Sequence, residues 1–190
     1  MKVNIEIWAS GGGTNADAIA QYFKNHNTIQ VAHIVSNRKN AGVLEVAKIN
    51  HVNASYWAKD DWKADKVLAS LASRKVDLIV LAGFLKLVPA EIVQVYQGRI
   101  LNIHPSLLPQ YGGKNMYGDH VHNAVLAHRE KYSGITIHEV NEEFDKGKIL
   151  AQFSTEVPEN IEDLKKRIHA LEHRYFALTI EAFINAHFIQ

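Results

Sequence analysis

Asn102 and His104 stand two residues apart in the stretch Leu101-Asn102-Ile103-His104-Pro105-Ser106-Leu107-Leu108-Pro109. In an extended strand such residues point to the same side, so the amide and the imidazole would share a face opposite Ile103. Pro105 disfavours helical geometry at His104, which predicts that a strand ends here in a shaped loop. An amide donor beside an imidazole could polarise a carbonyl group and hold the oxyanion formed when it is attacked. The alternative is structural: a capping Asn102 and a hydrogen-bonded, buried His104.

A second group of useful residues is the run Ser10-Gly11-Gly12-Gly13-Thr14-Asn15, which separates an apolar stretch from helical spacing. Glycines at such a turn present backbone N–H groups at a helix N-terminus, where the helix dipole favours an anion. Thr14 and Asn15 add side-chain donors, so the run predicts a phosphate site, with a plain strand-to-helix turn as the alternative. The spacing Gly11-x-Gly13-x-x-Ala16 also fits a dinucleotide fingerprint. Because Ser36-Asn37-Arg38 supplies no acid after the second strand, NAD is disfavoured while NADP stays open.

Asp145 lies in the acidic segment Glu142-Glu143-Phe144-Asp145-Lys146-Gly147. If the fold brings this segment to His104, the carboxylate would pair with the imidazolium, raise its pKa and hold a water molecule. A solvated acidic turn is the alternative. His120 and His122 form the obvious pair of metal ligands, but no third ligand has motif spacing and cysteine is absent. We therefore predict no metal site.

The composition limits the class of protein. The 190 residues carry a net charge of +1, so no global charge favours a nucleic-acid or membrane partner. The absence of cysteine excludes disulfides and thiolate nucleophiles and is compatible with a reducing compartment. The N-terminus begins a strand pattern rather than a signal peptide, and no apolar run is long enough to span a membrane. We expect a cytoplasmic protein with one domain over residues 1–190, since no repeat or linker divides the chain.

Alternating apolar runs and helical patterns predict an α/β fold with a parallel sheet that would position these residues. The predicted strands are 3–8, 29–35, a short one near 52, 76–81 and 99–103. The predicted helices are 16–23, 43–49, 59–73, one that ends near 96, and 121–128. Residues 112–118 are expected to form a loop, and the strands 133–140 and 148–157 could pair as a hairpin. Apolar residues at three- and four-residue steps from Asn160 to Ala182 predict a long amphipathic helix.

Four motifs stand in an order and spacing that resemble the phosphoribosylglycinamide formyltransferase family. They are the glycine run, Val80-Leu81-Ala82-Gly83-Phe84, the stretch from Leu101 to Pro109, and Asp145-Lys146-Gly147. The similarity continues nearly end to end, through Glu172-His173. The resemblance implies a Rossmann-like formyltransferase fold: a mostly parallel central sheet flanked by helices, with a C-terminal hairpin and a long amphipathic helix. It also implies transfer of a formyl group from 10-formyltetrahydrofolate to the amine of glycinamide ribonucleotide in purine biosynthesis.

The resemblance implies roles for individual residues as well. Asn102, His104 and Asp145 match the family's catalytic residues, which act through direct attack and a tetrahedral intermediate. The residues that match the phosphate-binding loop are Gly12, Gly13, Thr14 and Asn15. Glu172 matches the contact to the ribose region of the substrate. The implied partners are small molecules only, namely glycinamide ribonucleotide and formyl folate, with no nucleic acid, membrane or metal, in a monomer or a homodimer.

The folate pocket is also implied by the resemblance. The matching residues are Leu85, Lys86, Leu87, Val88, Asn141, Glu142 and Phe144, and the loop 141–145 would close over the pterin. An arginine that some members place before the third helix to reach the phosphate has no clear counterpart here. Lys59 or Lys63 could replace it.

Other functions stay open on the sequence alone. A methionyl-tRNA formyltransferase or a formyltetrahydrofolate hydrolase would need a further domain, for which 190 residues leave no room. A sugar-nucleotide formyltransferase would use similar chemistry on a different amine. From other classes, the glycine turn with Arg38 could form an NADP-binding module, or the chain could be a regulatory homologue that binds ligands without catalysis.

Overall fold

A seven-stranded sheet forms the centre of the computed structural model, which describes residues 2–189. Its strands are β1 (Val3–Ala9), β2 (Ile29–Ser36), β3 (Ala54–Tyr56), β4 (Leu78–Leu81), β5 (Ile100–His104), β6 (Tyr132–Glu139) and β7 (Ile149–Glu156). The strand order is β3-β2-β1-β4-β5-β6-β7. The first five strands pair in parallel, whereas β6 runs antiparallel to both β5 and β7. The sheet is therefore mostly parallel and ends in the expected hairpin.

Helices cover both faces of this sheet. They are α1 (Thr14–Phe23), α2 (Val43–Ile49), α3 (Ala64–Ser73), α4 (Ala90–Val95), α5 (Asp119–Ala127) and α6 (Ile161–His187). One apolar cluster joins the sheet to α1, α2, α5 and α6, and a second joins it to α3 and α4. Because both faces of the sheet are covered, β4 is apolar on both sides and buried along its whole length.

The predicted α/β class, mostly parallel sheet, hairpin and long last helix are confirmed. Asn160 caps that helix, since its side chain accepts the N–H of Asp163 at 2.9 Å. The helix predicted over 59–73 is wrong at its start, because residues 59–61 form a 3-10 turn and α3 begins at Ala64. The physical reason is local: the Asp61 carboxylate accepts the N–H of Ala58 at 2.9 Å and stabilises the separate turn.

A buried polar network joins side chains of β1 and β2. Glu6 is fully buried; it accepts the indole N–H of Trp8 at 2.8 Å and pairs with Arg74. His33 lies opposite Glu6 in the strand register, and its Nε2 is 2.9 Å from the hydroxyl of Ser55. Burial raises the pKa of Glu6, while burial and the charge of Arg74 lower the pKa of His33 to about 4. The network therefore holds a neutral histidine beside a buried ion pair.

The low pKa of His33 predicts that stability falls as the pH is lowered. The folded pKa is about 4 and the ordinary value is 6.5, so the unfolded chain binds more protons between these values. We expect the urea midpoint of His33→Gln to fall less than that of wild type between pH 7 and pH 4.5. His104 and His122, whose pKa values burial also lowers, should keep part of the dependence.

The matched control is His51→Asn, which replaces an exposed histidine with a residue that tolerates its positive φ of 55°. Its urea midpoint should follow wild type across the same pH range. Equal slopes for wild type and His33→Gln would contradict the prediction.

Candidate active site

The end of β5 places Asn102 and His104 on one side of the sheet, as the two-residue spacing predicts. Their neighbour Ile103 joins the apolar cluster on the other side. His138 of β6 is the direct cross-strand partner of Asn102, so the two side chains share a face. His104 and His138 are 4% and 1% exposed. A carboxamide and two buried imidazoles therefore lie together where β5 ends.

Asp145 comes to these residues from the loop between β6 and β7. Its Oδ2 is 3.5 Å from Nδ1 of His104, and its Oδ1 is 3.6 Å from Nε2 of His138. The same Oδ1 accepts an N–H of Asn102 at 3.4 Å, and the backbone N–H of Gly113 donates to Oδ2 at 2.8 Å. The structure thus brings together the three side chains that the sequence analysis paired, and adds His138.

Backbone carbonyl groups assign the ring protons of both histidines. Nε2 of His104 donates to the carbonyl of Tyr111 at 2.7 Å, so Nδ1 is the nitrogen that faces Asp145. Nδ1 of His138 donates to the carbonyl of Glu139 at 2.8 Å, which leaves Nε2 to accept from Asn102 at 3.1 Å. The neutral form of His104 therefore presents an unprotonated nitrogen, Nδ1, to Asp145.

Burial sets the charge states at this site. Burial lowers the pKa of His104, and the charge of Asp145 opposes the shift without overcoming it. For Asp145, burial raises the pKa, but the neighbouring His138 and His104 and the Gly113 N–H together bring it below the ordinary 3.8. At neutral pH the pair is thus a carboxylate beside an uncharged imidazole that can accept a proton.

These residues line a cavity of about 590 Å³. All four predicted phosphate-loop residues, Gly12 to Asn15, line it as well, and so does Glu172. Of the predicted folate residues, the lining includes Leu85, Lys86, Leu87, Val88 and Phe144. Glu142 instead lines a smaller adjoining cavity of about 320 Å³. Asn141 is in neither lining, and its side chain accepts the N–H of Glu143 at 3.0 Å, so it shapes the turn.

The glycine turn and the N-terminus of α1 that follows it line this cavity. Gly13 precedes the helix with φ 87°, and a Cβ there would lie 2.7 Å from the Cα of Val43, so only glycine fits. Asn15 donates from Nδ2 to Oε2 of Glu172 at 3.0 Å and ties the turn to α6. The turn is therefore a fixed part of the cavity wall, with the helix N-terminus that an anion site requires.

Several cavity residues were not among those that the sequence analysis singled out. For His138, the signal was its alternation with Ile137 on β6, but only the register shows that it meets Asn102. Ser10, from the predicted glycine run, donates its hydroxyl to Asn37 and accepts the N–H of Leu85 at 3.0 Å. These bonds hold the segment 85–88 against the glycine turn. The other unpredicted lining residues include Lys114, Lys165 and His169, while His122, considered above only as a metal ligand, also lines the cavity.

Lys59 and Lys63, suggested as replacements for a phosphate-binding arginine, are not in the cavity lining of residues 2–189. Lys59 belongs to the separate 3-10 turn, and Lys63 stands at the N-cap position of α3 without a side-chain capping hydrogen bond. Within the same part of the chain, no group of three or more His, Asp or Glu side chains could hold a metal ion. His120 is exposed, and its ring packs edge-on against the ring of Tyr117. None of the helices between residues 2 and 189 has the length and apolar character to cross a membrane.

Comparison with known proteins supports what the fold and the cavity indicate. The family model for formyl transferases matches residues 3–180, and the chain belongs to this family. Within it, the chain is similar to phosphoribosylglycinamide formyltransferase of Bacillus subtilis strain 168, with 34% identity covering 94% of this chain and 93% of the relative. The chloroplastic enzyme of Arabidopsis thaliana is 40% identical over 94% of this chain.

Solved structures agree with these relatives. Phosphoribosylglycinamide formyltransferase from Bacillus halodurans superposes with a TM-score of 0.86 and 32% identity, covering 97% of this chain and 99% of that chain. Glycinamide ribonucleotide transformylase 1 from Symbiobacterium toebii gives a TM-score of 0.88 at 33% identity, with 97% and 89% covered. The chain spans 64% and 60% of the length of the Arabidopsis and Vigna unguiculata relatives.

Proposed function

We propose that the chain transfers a formyl group from 10-formyltetrahydrofolate to the amine of glycinamide ribonucleotide in purine biosynthesis. The observation that carries the proposal is the convergence of Asn102, His104 and Asp145 in a cavity that also holds the glycine turn. The names of the similar proteins support the choice of substrates. We further propose one cytoplasmic formyltransferase domain over residues 1–190, monomeric or homodimeric, without a metal cofactor and with small-molecule partners only.

The wall of the cavity suits two different substrates. The glycine turn and Glu172 offer an anion site and a hydroxyl acceptor, as a ribose phosphate needs. Leu85, Leu87 and Phe144 line the same cavity and are 39%, 46% and 36% exposed, which is unusual for large apolar side chains. Such side chains would cover the aromatic rings of a folate. The donor and the acceptor would then reach the catalytic side chains from one common space.

The first step is attack of the uncharged amine on the formyl carbon, which forms a C–N bond and an oxyanion. One N–H of Asn102 donates to His138 at 3.1 Å, and the other makes a longer 3.4 Å contact with Asp145. The second N–H can turn to the oxyanion, where its interaction strengthens as charge develops. This carboxamide is therefore the proposed oxyanion donor, and no covalent enzyme intermediate is required.

The second task is movement of a proton from the attacking nitrogen to the departing folate nitrogen. Nδ1 of His104 is unprotonated in the resting site and accepts the proton, directly or through a water molecule held by Asp145. The imidazolium so formed is stabilised by the Asp145 carboxylate and adds a positive charge near the oxyanion. It then gives the proton to the folate nitrogen. The oxyanion re-forms the C=O bond as the old C–N bond breaks, so the enzyme returns to its starting charge.

Steady-state kinetics test this proposal. With glycinamide ribonucleotide and 10-formyltetrahydrofolate varied together, we expect product formation with intersecting double-reciprocal lines, as direct transfer in a ternary complex requires. Parallel lines with a formylated enzyme would overturn the mechanism. Formylation of an amino-sugar nucleotide in place of glycinamide ribonucleotide would favour a sugar-nucleotide formyltransferase. Tight binding of NADPH by fluorescence titration without formyl transfer would favour an NADP-binding module.

A further inference from the structure

The buried hydroxyl of Ser10 lies between two walls of the cavity. The glycines that follow Ser10 line one wall, and residues 83–88, here called the folate-side segment, line another. Ser10 itself is 1% exposed and is absent from the lining that residues 2–189 form. The mechanism above gives this side chain no task.

Backbone hydrogen bonds join the end of β1 to the start of the folate-side segment. The N–H of Ala82 donates to the carbonyl of Trp8 at 2.9 Å, and the N–H of Ser10 donates to the carbonyl of Gly83 at 3.0 Å. These two bonds extend the parallel pairing of β1 with β4. Gly83 then adopts a φ of 76°, which turns the chain out of the strand. The backbone attachment therefore ends at Gly83.

The side chain of Ser10 carries the attachment further. Its Oγ accepts the N–H of Leu85 at 3.0 Å and donates its proton to Oδ1 of Asn37 at 2.7 Å. In the described part of the chain, the bond from Leu85 is the only hydrogen bond that residues 84–88 make. Because the hydroxyl proton is directed to Asn37, the oxygen lone pairs are left for Leu85. One hydroxyl thus connects the ends of β2, β1 and β4.

Packing holds the folate-side segment at two of its residues. Phe84 and Val88 are buried in the apolar cluster that includes α3 and α4. Leu85 and Leu87 are exposed to the cavity, and neither belongs to the two apolar clusters found within residues 2–189. Side chains without packing partners lie where the backbone places them. The bond between Leu85 and Ser10 is therefore the contact that fixes the exposed part of the segment.

We propose that Ser10 is a positioning residue for the formyl donor. Its hydroxyl, oriented by Asn37, holds Leu85 and Leu87 where they cover the folate rings. The inference rests on the proposed function and deepens it on the folate side of the cavity. Ser10 acts through the backbone of Leu85 and contacts neither substrate. Since Ser10 directly precedes the glycines, the same bond sets the distance between the donor and acceptor sides.

Ser10→Ala tests the inference, with Ser55→Ala as the matched control. Ser55 is a half-buried serine of β3 whose hydroxyl is 2.9 Å from Nε2 of His33, and it is outside the cavity lining of residues 2–189. In Ser10→Ala we expect the KM for 10-formyltetrahydrofolate to rise about 10-fold, because binding must then order Leu85 and Leu87. The kcat and the KM for glycinamide ribonucleotide should stay near wild type. Ser55→Ala should keep both KM values.

The selectivity of the effect separates positioning from a general structural role. Both serine variants remove a hydrogen-bonded hydroxyl, so both should lower the urea midpoint, but only Ser10→Ala should change the KM for the donor. A donor KM in Ser10→Ala within about twofold of wild type would overturn the inference. An equal rise in KM for both substrates, or the same rise in Ser55→Ala, would overturn it as well.

Substitutions at Asn37 give a graded test that leaves Ser10 in place. Asn37→Leu removes the acceptor of the hydroxyl proton, whereas Asn37→Asp keeps an oxygen there. We expect the donor KM to rise roughly threefold in Asn37→Leu, less than in Ser10→Ala, because Leu85 can still donate to the hydroxyl. Asn37→Asp should stay near wild type, and an equal rise in both Asn37 variants would contradict the inference. If Ser10→Ala does not fold by circular dichroism, this pair decides the question.

Direct binding separates this inference from the proposed function. Calorimetric titration with 5-formyltetrahydrofolate, a stable isomer of the donor, needs no turnover and no acceptor. Weaker binding to Ser10→Ala than to wild type and Ser55→Ala would support the inference even if no formyl transfer were found. Equal binding in all three proteins, or no binding to wild type, would overturn it whether or not the chain proves to be a formyltransferase.

Discussion

His104→Ala is expected to lower kcat for formyl transfer by about 10³-fold, while the KM of both substrates changes little. The change removes the nitrogen proposed to accept the amine proton, together with the imidazolium that forms beside Asp145. Nδ1 of His104 is the ring nitrogen available for this task, because Nε2 is held by the Tyr111 carbonyl at 2.7 Å. Alanine can do neither task, and the substrate-binding walls of the cavity stay in place. Single-turnover and steady-state assays with glycinamide ribonucleotide measure the effect.

The control for this prediction is His51→Asn, which changes an exposed histidine far along the chain from β5. Its kcat should match wild type. Circular dichroism should show the same secondary structure for His104→Ala, since His104 is the last residue of β5 rather than part of the strand interior. A folded His104→Ala protein that keeps more than about a tenth of wild-type kcat would contradict the assigned role.

The loop after β5 connects the catalytic histidine and carboxylate. The carbonyl of Tyr111 accepts from His104, and the N–H of Gly113 donates to Asp145 at 2.8 Å. The Tyr111 hydroxyl in turn donates to Glu130 at 2.7 Å, which anchors the loop beyond α5. One short segment therefore fixes the ring proton of the base and the orientation of its partner, as preorganised electrostatics require.

Local sequence features were sufficient to predict much of this arrangement. Polar and apolar residues alternate at Asn102, Ile103 and His104, and a proline follows. This pattern predicts a strand whose end carries two polar side chains on one face. The glycine turn and the spacing of α6 are equally local, because turn conformation and helical period depend on a few neighbouring residues. These are the parts that the structure reproduces with only small shifts of their ends.

Features that depend on tertiary packing could not be predicted in the same way. His138 meets Asn102 only because β6 pairs with β5 in one particular register. Glu172 meets Asn15 only because α6 packs parallel to α1. The separate turn at 59–61 depends on a single carboxylate contact within a charged stretch. The family resemblance supplied the substrates, which no local pattern in the sequence identifies.

Asp145→Asn is expected to have the second large effect on kcat. It tests the path of the proton rather than the base, His104, itself. We expect kcat to fall roughly 10³-fold with little change in either KM. An asparagine can still accept the Gly113 N–H with an oxygen at the Oδ2 position, which lies 3.5 Å from Nδ1 of His104. Its uncharged NH₂ group would then take the Oδ1 position, 3.6 Å from Nε2 of His138. The substitution removes the negative charge, so the imidazolium of His104 loses its counter-charge.

The pH profile distinguishes this explanation from simple misfolding. Asp145 raises the pKa of His104 against the lowering effect of burial, so its loss should move the acid limb of kcat/KM to lower pH. Glu159→Gln removes the same charge at an exposed position before α6, and it should leave both kcat and the acid limb unchanged. An Asp145→Asn protein with wild-type kcat would refute the proton path. A reduced kcat with an unmoved acid limb would show that Asp145 acts on the substrates and not through His104.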